Sequence, residues 1–163
     1  MANVYDLVKG DAHVVAESSR LKATTAGHIY DLKMVADTDN GTIVAIGNHV
    51  EGQVFEAKTY VAGDKPYLVL TSPIAYNGRK AWSDEKYFYN AKDEIARAYE
   101  LHVDDIYTVS ADAFVGEPAE GKYIDAKYTV ADAAGESGFV GLITEEVTYT
   151  SGVSYRIRVI SIG

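Results

Sequence analysis

The run of residues 35–47, VADTDNGTIVAIG, constrains the possible folds of this chain more than any other stretch. Its Asn40-Gly41 pair favours the tight turn of a two-residue β-hairpin, and a β-branched run follows at once. The preceding residues 29–36, IYDLKMVA, alternate as a half-buried strand does. Four of them are expected on one face: Tyr30, Leu32, Met34 and Ala36. We therefore predict a hairpin in which residues 29–36 pair with residues 42–46.

Further short strands follow, separated by turn signals rich in glycine and proline. The predicted strands are residues 54–61, 67–71, 106–109, 123–130, 139–149 and 153–160. Short strands at a spacing of roughly 8–12 residues are typical of a β-sandwich or a small barrel. We predict a mainly β chain: a single small β-sandwich or β-barrel-like domain with an extended N-terminal arm and at most one short helix.

Residues 139–160 predict a long terminal hairpin around Thr150-Ser151-Gly152. The second strand of this hairpin has the cleanest alternation in the chain. The side chains expected to face inward are Val153, Tyr155, Ile157 and Val159, and those expected to face outward are Ser154, Arg156 and Arg158.

Two segments fit the β pattern less well. Residues 1–26 contain only short apolar pieces, so we interpret them as an N-terminal arm or a first strand, and residues 27–163 as the β domain. Residues 90–102 are the candidate for a helix, with Asn90 as its cap. The alternation over residues 95–99 favours instead a strand that continues to Leu101.

The charge balance argues against two classes of partner. The formal net charge is −9, and the densest basic stretch is only Arg79-Lys80. Double-stranded nucleic acid and anionic membranes repel such a surface, so we expect neither as a partner. No run approaches 18 apolar residues, and the start MANVYDLVKG lacks the basic and apolar regions of a signal peptide. We expect synthesis and folding in a cytoplasm.

Motifs for catalysis and metal binding are missing from the sequence. The chain has no cysteine, which excludes disulfides, thiol catalysis and thiolate metal sites. Residues 37–41, DTDNG, resemble the start of an EF-hand loop, but Gly41 stands at the fifth position and Asn48 at the twelfth, which needs glutamate. The histidines lack the spacing of a metal site; they are His13, His28, His49 and His102. We predict no catalytic, cofactor-binding or metal-binding residues.

Two adjacent acidic pairs are the remaining candidates for acid–base chemistry, Asp104-Asp105 and Glu145-Glu146. Neighbours on a strand point to opposite faces, so the members of each pair need not meet. We interpret both pairs as residues that keep the protein in solution and discourage association between sheet edges.

Residues 74–90, IAYNGRKAWSDEKYFYN, form the least regular stretch and hold the single tryptophan. Their aromatic side chains either tuck under a loop or form an exposed contact patch, and both interpretations stay open. The aromatic residues concerned are Tyr76, Trp82, Tyr87, Phe88 and Tyr89. The N-terminal arm carries a second apolar set, which consists of Val4, Tyr5, Leu7 and Val8.

Three stretches together resemble a family of small proteins encoded beside the major capsid protein in tailed bacteriophages. Residues 35–47 are similar to a family segment that reads "dNGtvv.lG", and residues 91–114, AKDEIARAYELHVDDIYTVSADAF, to one that reads "R.y.l..gD.fsvt..a". Residues 121–126, GKYIDA, and 139–160, FVGLITEEVTYTSGVSYRIRVI, resemble the closing strands. The resemblance covers about residues 29–160 and departs at Asp104, where the family has glycine.

The resemblance implies a head decoration, or cement, protein: a non-enzymatic virion structural protein that binds the outer surface of the phage capsid and stabilises it. The implied partners are the major capsid protein lattice and further copies of the chain, in a trimer or other homo-oligomer. The implied location is the capsid exterior, after synthesis in the bacterial host. Our predicted partner-contact residues are the two apolar sets, that is, Val4, Tyr5, Leu7, Val8, Trp82, Tyr87, Phe88 and Tyr89.

Two alternatives remain open. The aromatic residues between positions 76 and 89 would also suit a tail or fibre module that binds carbohydrate, since aromatic faces stack on sugar rings. An enzyme such as a carboxylate hydrolase would need two acidic side chains that face each other across a cleft.

Overall fold

The computed structural model describes residues 14–72, 88–149 and 152–163, which fold mainly into β-strands. Five of the strands form a closed barrel: β2 (Ile29–Lys33), β3 (Ile43–Glu51), β4 (Val54–Thr59), β5 (Tyr67–Val69) and β6 (Ile95–Glu100). Their order around the barrel is β2-β4-β3-β5-β6. The pair β2 and β4 is parallel, and the other neighbours are antiparallel.

A second, six-stranded sheet contains the remaining strands of the described residues. They are β1 (Ala16–Arg20), β7 (Ile106–Ser110), β8 (Tyr123–Ile124), β9 (Val130–Ala131), β10 (Val140–Tyr149) and β11 (Gly152–Ser161). The sheet order is β1-β7-β11-β10-β8-β9, and each neighbouring pair is antiparallel. The described ranges also contain a five-residue helix, α1 (Lys22–Ala26), and a 3₁₀ turn (Ala111–Ala113). The predicted fold class is confirmed.

The alternation of the barrel strands produces two hydrophobic cores. In β5, Tyr67 and Val69 point into the barrel, whereas Leu68 between them points towards the six-stranded sheet. Because both faces of β5 are covered, its sequence is a continuous apolar run rather than an alternating one. The residues that fill the barrel are Leu32, Met34, Val44, Ala57, Tyr67, Val69, Ala96 and Ala98.

The second core lies between the outer wall of the barrel and the six-stranded sheet. Ile43, Leu68 and Leu101 contribute from the barrel side, and residues of β7 and β11 contribute from the sheet. The fully buried Tyr128 and Tyr107 also belong to this core, and their phenol oxygens share a hydrogen bond of 3.1 Å. Burial raises the pKa of both phenols well above the usual value.

The Asn40-Gly41 turn is present, but the hairpin predicted around it is wrong. Gly41 has a φ of +90°, as such a turn requires, and its N–H donates to the carbonyl of Val69 at 2.8 Å. The strands on either side are not neighbours, because β4 separates β2 from β3 in the barrel. Backbone hydrogen bonds from Met34 and Thr38 go instead to residues 90–94. Long-range pairing has therefore overridden the local turn signal.

Two further predictions of element type have different outcomes. Residues 95–100 form a strand, as the alternation favoured, and the short helix lies at residues 22–26 instead. The predicted strand 123–130 is wrong, since it divides into β8 and β9. Between these strands the carboxylate of Asp125 accepts hydrogen bonds from the N–H groups of Lys127 (2.9 Å) and Thr129 (3.0 Å), which stabilises a turn.

The terminal hairpin of β10 and β11 is confirmed, with one error at its start. Tyr155, Ile157 and Val159 are buried, and Arg158 is exposed, as predicted. The exposure of Val153 and Ser154 is opposite to the prediction, because Val153 is 37 % exposed and Ser154 is only 5 % exposed. Strand β7 ends at Ser110 opposite Ser154, so Val153 extends beyond the last position that β7 covers.

Candidate functional site

Only Phe88 and Tyr89 of the predicted partner-contact residues lie within the described ranges. Both are partly buried and lead directly into Asn90, whose backbone forms an isolated bridge with Thr38. The other predicted contact residues lie outside the described residues, namely Val4, Tyr5, Leu7, Val8, Trp82 and Tyr87. Tyr76 also lies outside them. The structure therefore shows how the ends of these segments are held, rather than the segments themselves.

The side-chain amide of Asn40 forms hydrogen bonds at both ends of the aromatic stretch, residues 74–90. Its Nδ2 donates to the carbonyl of Thr71 at 2.8 Å, and its Oδ1 accepts from the N–H of Thr71 at 3.0 Å. The same Oδ1 accepts from Nδ2 of Asn90 at 3.0 Å. Both asparagines are buried, and these hydrogen bonds satisfy polar atoms that would otherwise be costly to bury. Thr71 and Asn90 are thereby fixed to one point.

A second set of contacts fixes Asn90 and the first described residue to the same turn. Asn90 and Thr38 exchange two backbone hydrogen bonds of 2.8 Å, and Asn90 Nδ2 also donates to the Thr38 carbonyl at 3.0 Å. The N–H of Val14 donates to Oδ2 of Asp39 at 3.4 Å. We call residues 38–41 the anchor turn. The described residues that adjoin both predicted contact segments are attached to it.

A groove of about 310 Å³ runs beside the anchor turn. Residues 15–18 line one side, residues 70–72 line the other, and Asn40 lies between them. Within the described residues, β1 pairs only with β7, so its other edge has no strand partner. The anchor turn and its groove form a candidate binding surface. From the sequence, only a hairpin turn was expected at these residues.

A different group of side chains meets at the opposite end of β6. Nδ1 of His28 lies 2.8 Å from Oε2 of Glu100, and Nε2 of His102 lies 3.5 Å from Oε1 of the same carboxylate. The imidazole rings of the two histidines are 6.0 Å apart between centroids. We call these three residues the His–Glu cluster. Their ligand atoms all lie within 4.8 Å of one another.

Strand register explains why sequence analysis missed the cluster. His28 immediately precedes β2, and its carbonyl accepts a hydrogen bond of 3.1 Å from the N–H of Glu100 on β6. Glu100 and His102 are two residues apart, which is the spacing that places side chains on one side of an extended chain. The pair Glu100 and His102 was visible in the sequence. The third member, His28, could not be recognised, because it lies 72 positions before Glu100 in the sequence.

The carboxylate of Glu100 also affects the phenol of Tyr67. Burial, then the negative charge of Glu100 and then the neighbouring Tyr30 raise the pKa of Tyr67 from 10.0 to about 12. Above pH 10 the unfolded chain therefore loses this proton while the folded chain keeps it. Stability from this group is fully present below pH 10 and is lost as the pH rises from 10 to about 12.

We accordingly expect Tyr67→Phe to reduce the alkaline loss of stability. Urea midpoints measured at pH 9 and pH 11 should fall less in the variant than in the unsubstituted protein, because phenylalanine has no proton to lose. An equal fall in both proteins would show that Tyr67 ionises normally in the folded state. The comparison removes the contribution of lysines, which also titrate in this range but are common to both proteins.

The two acidic pairs have separate structural partners. Asp104 is exposed and contacts Arg158 at 2.6 Å, whereas Asp105 is buried and accepts from the N–H groups of Lys22 (3.0 Å) and His102 (2.8 Å). Asp104 has a φ of +76°, the left-handed conformation that glycine adopts without strain. The carboxylates of Glu145 and Glu146 also have separate partners.

Each member of the second pair has its own contact on β11. Glu145 contacts the guanidinium of Arg156, and Glu146 lies 3.5 Å from the hydroxyl of Tyr155. Burial and the charge of Glu146 raise the pKa of that phenol. The members of each pair therefore contact different partners.

The chain was compared with known proteins, and its described residues were searched for membrane-spanning helices. Among the described residues, no helix has the length and apolar character needed to cross a bilayer. No protein-family model, curated protein or solved structure matches the chain.

Proposed function

We propose that this chain is a non-enzymatic structural protein that binds the outer surface of a tailed-phage capsid and stabilises it. The anchor turn carries this proposal. The contact residues expected from the sequence lie in two segments that are far apart along the chain. Val14 next to one segment, and Thr71 and Asn90 next to the other, are attached to the same four-residue turn. Two segments that start from one point can contact one surface together.

The rigidity of the anchor turn supports such a role. The hydrogen bonds of its asparagine are buried or partly buried, and the carbonyl of Gly41 accepts a buried hydrogen bond from the hydroxyl of Tyr128 in the second core. A binding segment whose ends are held in place loses less conformational freedom when it contacts a partner. The resemblance to head decoration proteins indicates which class of partner to expect. The left-handed conformation of Asp104 is compatible with the glycine that the family has at this position.

The thermodynamics of a repeating lattice also suits a protein with this surface. Many copies with modest affinity for single sites are retained firmly when they contact several capsid subunits at once. A protein that binds the assembled lattice and not free subunits stabilises the lattice by mass action. The net charge of −9 would keep decorated particles apart in solution.

Sedimentation with capsids tests the proposal. The chain should co-sediment with expanded capsids assembled from the major capsid protein of the same phage, up to a fixed number of copies per lattice. It should also raise the temperature at which those capsids disassemble. Failure of the unaltered chain to bind expanded capsids would overturn the proposed function.

Variants in the two segments test the contact residues separately. Deletion of residues 1–10 and Trp82→Ala should each raise the capsid Kd about 10-fold or more, since a buried apolar anchor contributes over ~1.4 kcal/mol to binding. Val50→Ala, an exposed valine in the β3–β4 hairpin, is the matched control and should bind normally. Normal capsid binding after the deletion would show that the arm does not contact the capsid. Quenching of Trp82 fluorescence by sugars would instead favour the carbohydrate-binding alternative.

A further inference from the structure

We propose that His28, Glu100 and His102 bind a divalent transition-metal ion, for which Zn²⁺ is the best match. Two imidazole nitrogens and one carboxylate oxygen form a ligand set that zinc uses in proteins. Mg²⁺ and Ca²⁺ prefer sites made of oxygen ligands alone. The proposal is independent of capsid binding, because the cluster lies at the end of β6 opposite the anchor turn.

The ligand atoms of the cluster lie close enough together to reach one tetrahedral ion. Zinc lies about 2.0–2.2 Å from its nitrogen and oxygen ligands, so two ligands of one ion are about 3.4 Å apart. The two nitrogen–oxygen distances, 2.8 Å from His28 Nδ1 to Oε2 and 3.5 Å from His102 Nε2 to Oε1, are close to this value but reach different oxygens of the Glu100 carboxylate. Since the ligand atoms all lie within 4.8 Å of one another, small side-chain rotations would bring them onto one ion. A fourth position would remain for water.

The orientation of His102 supports a metal site independently of the ligand distances. Its Nε2 points to Glu100, while its Nδ1 is buried and has no hydrogen-bond partner among the described residues. Oδ2 of Asp105 lies 3.9 Å from this Nδ1. Histidines that bind metals usually donate their second N–H to a carboxylate, which fixes the ring and strengthens the ligand. A slight rotation of His102 onto the metal would let it make that bond.

Asp105 is well placed for this positioning role. Its carboxylate is buried and held by the N–H groups of Lys22 and His102, so its orientation is fixed by backbone. Glu100 is itself only 12 % exposed, which shields it from bulk water. Lys65 approaches the same carboxylate at 4.0 Å from an exposed position, and it can move away when an ion binds.

A titration of the full chain with ZnCl₂ tests the proposal. After treatment with a chelator, isothermal calorimetry at pH 7.5 should show one saturable site per chain. Free Zn²⁺ at 100 times its Kd should raise the melting temperature by about 5–10 °C. MgCl₂ at the same concentration should do neither. Affinity should fall on acidification to pH 5.5, because an imidazole must be unprotonated to bind the ion.

Variants distinguish a metal site from a set of ordinary ion pairs. Loss of an outer partner alone weakens metal sites 10–100-fold, so His28→Gln, Glu100→Gln and His102→Gln should each weaken zinc binding by about 100-fold or more. His49→Gln is the matched control, since His49 lies on the exposed β3–β4 hairpin and should leave the Kd unchanged. Absence of a zinc effect on the unaltered chain, or equal binding by all four variants, would overturn the proposal.

Discussion

Replacing Ile157 by alanine is expected to destabilise the protein by about 2–5 kcal/mol, the range for truncating a buried isoleucine. Ile157 lies in the middle of β11, is fully buried and belongs to the core between the barrel and the six-stranded sheet. The loss combines the transfer free energy of the removed carbons with the cost of a cavity that rigid β-strands cannot close. Urea unfolding followed by circular dichroism measures it.

The same substitution at Ile95 is the control, because that side chain on β6 is 50 % exposed. Ile95→Ala should cost less than about 1 kcal/mol. Equal losses at the two positions would contradict the placement of the core.

A double-mutant cycle with Gly141 tests the packing around Ile157 more directly. A Cβ on Gly141 of β10 would lie 2.7 Å from Cγ2 of Ile157 and 2.9 Å from Cγ1 of Ile124. Gly141→Ala alone should therefore cost about 1–3 kcal/mol through overpacking. In the Ile157→Ala background its cost should be smaller, because one of the two clashing atoms is gone. Strict additivity would show that the two positions do not touch.

Replacing Gly41 by alanine is the second change with a large expected effect. Gly41 has a φ of +90°, and its ideal Cβ would lie 3.0 Å from Cγ1 of Val109 and 3.3 Å from Cβ of Ala16. The conformation costs about 1–2 kcal/mol for an L-residue, and the crowding costs a further 1–3 kcal/mol, so we expect about 2–5 kcal/mol in all. Urea unfolding would measure this loss too.

Gly63→Ala separates the two contributions. Gly63 has a similar φ of +101°, but nothing lies within 4 Å of its ideal Cβ. Its replacement should cost only the conformational part, about 1–2 kcal/mol. If Gly41→Ala lowered the free energy of unfolding no more than Gly63→Ala does, the result would contradict the close approach of the anchor turn to β1 and β7.

The two proposals concern opposite ends of β6 and can succeed or fail separately. Capsid binding depends on the anchor turn and the segments that leave it, whereas metal binding depends on the His–Glu cluster. Zinc could still influence capsid binding by stabilising the barrel that carries both sites. Measuring capsid retention of His102→Gln would reveal such a link.

Features that depend on local forces are the ones the sequence predicts correctly. Alternation of apolar and polar residues predicted β6 as a strand, although residues 90–102 also matched a helix. The same alternation predicted the burial of Tyr155, Ile157 and Val159 on β11. It failed at Val153, because burial there depends on where the neighbouring strand β7 ends, and no residue near Val153 encodes that.

The sequence by itself determined that this chain is mainly β, where most of its strands lie, and that a turn forms at Asn40-Gly41. Only the tertiary structure decided that β4 separates the strands flanking that turn, and that His28 meets Glu100 and His102. The physical reason is the range of the interactions. Side-chain alternation and turn conformation depend on adjacent residues, whereas strand order depends on hydrogen bonds and packing between residues that are many tens of positions apart.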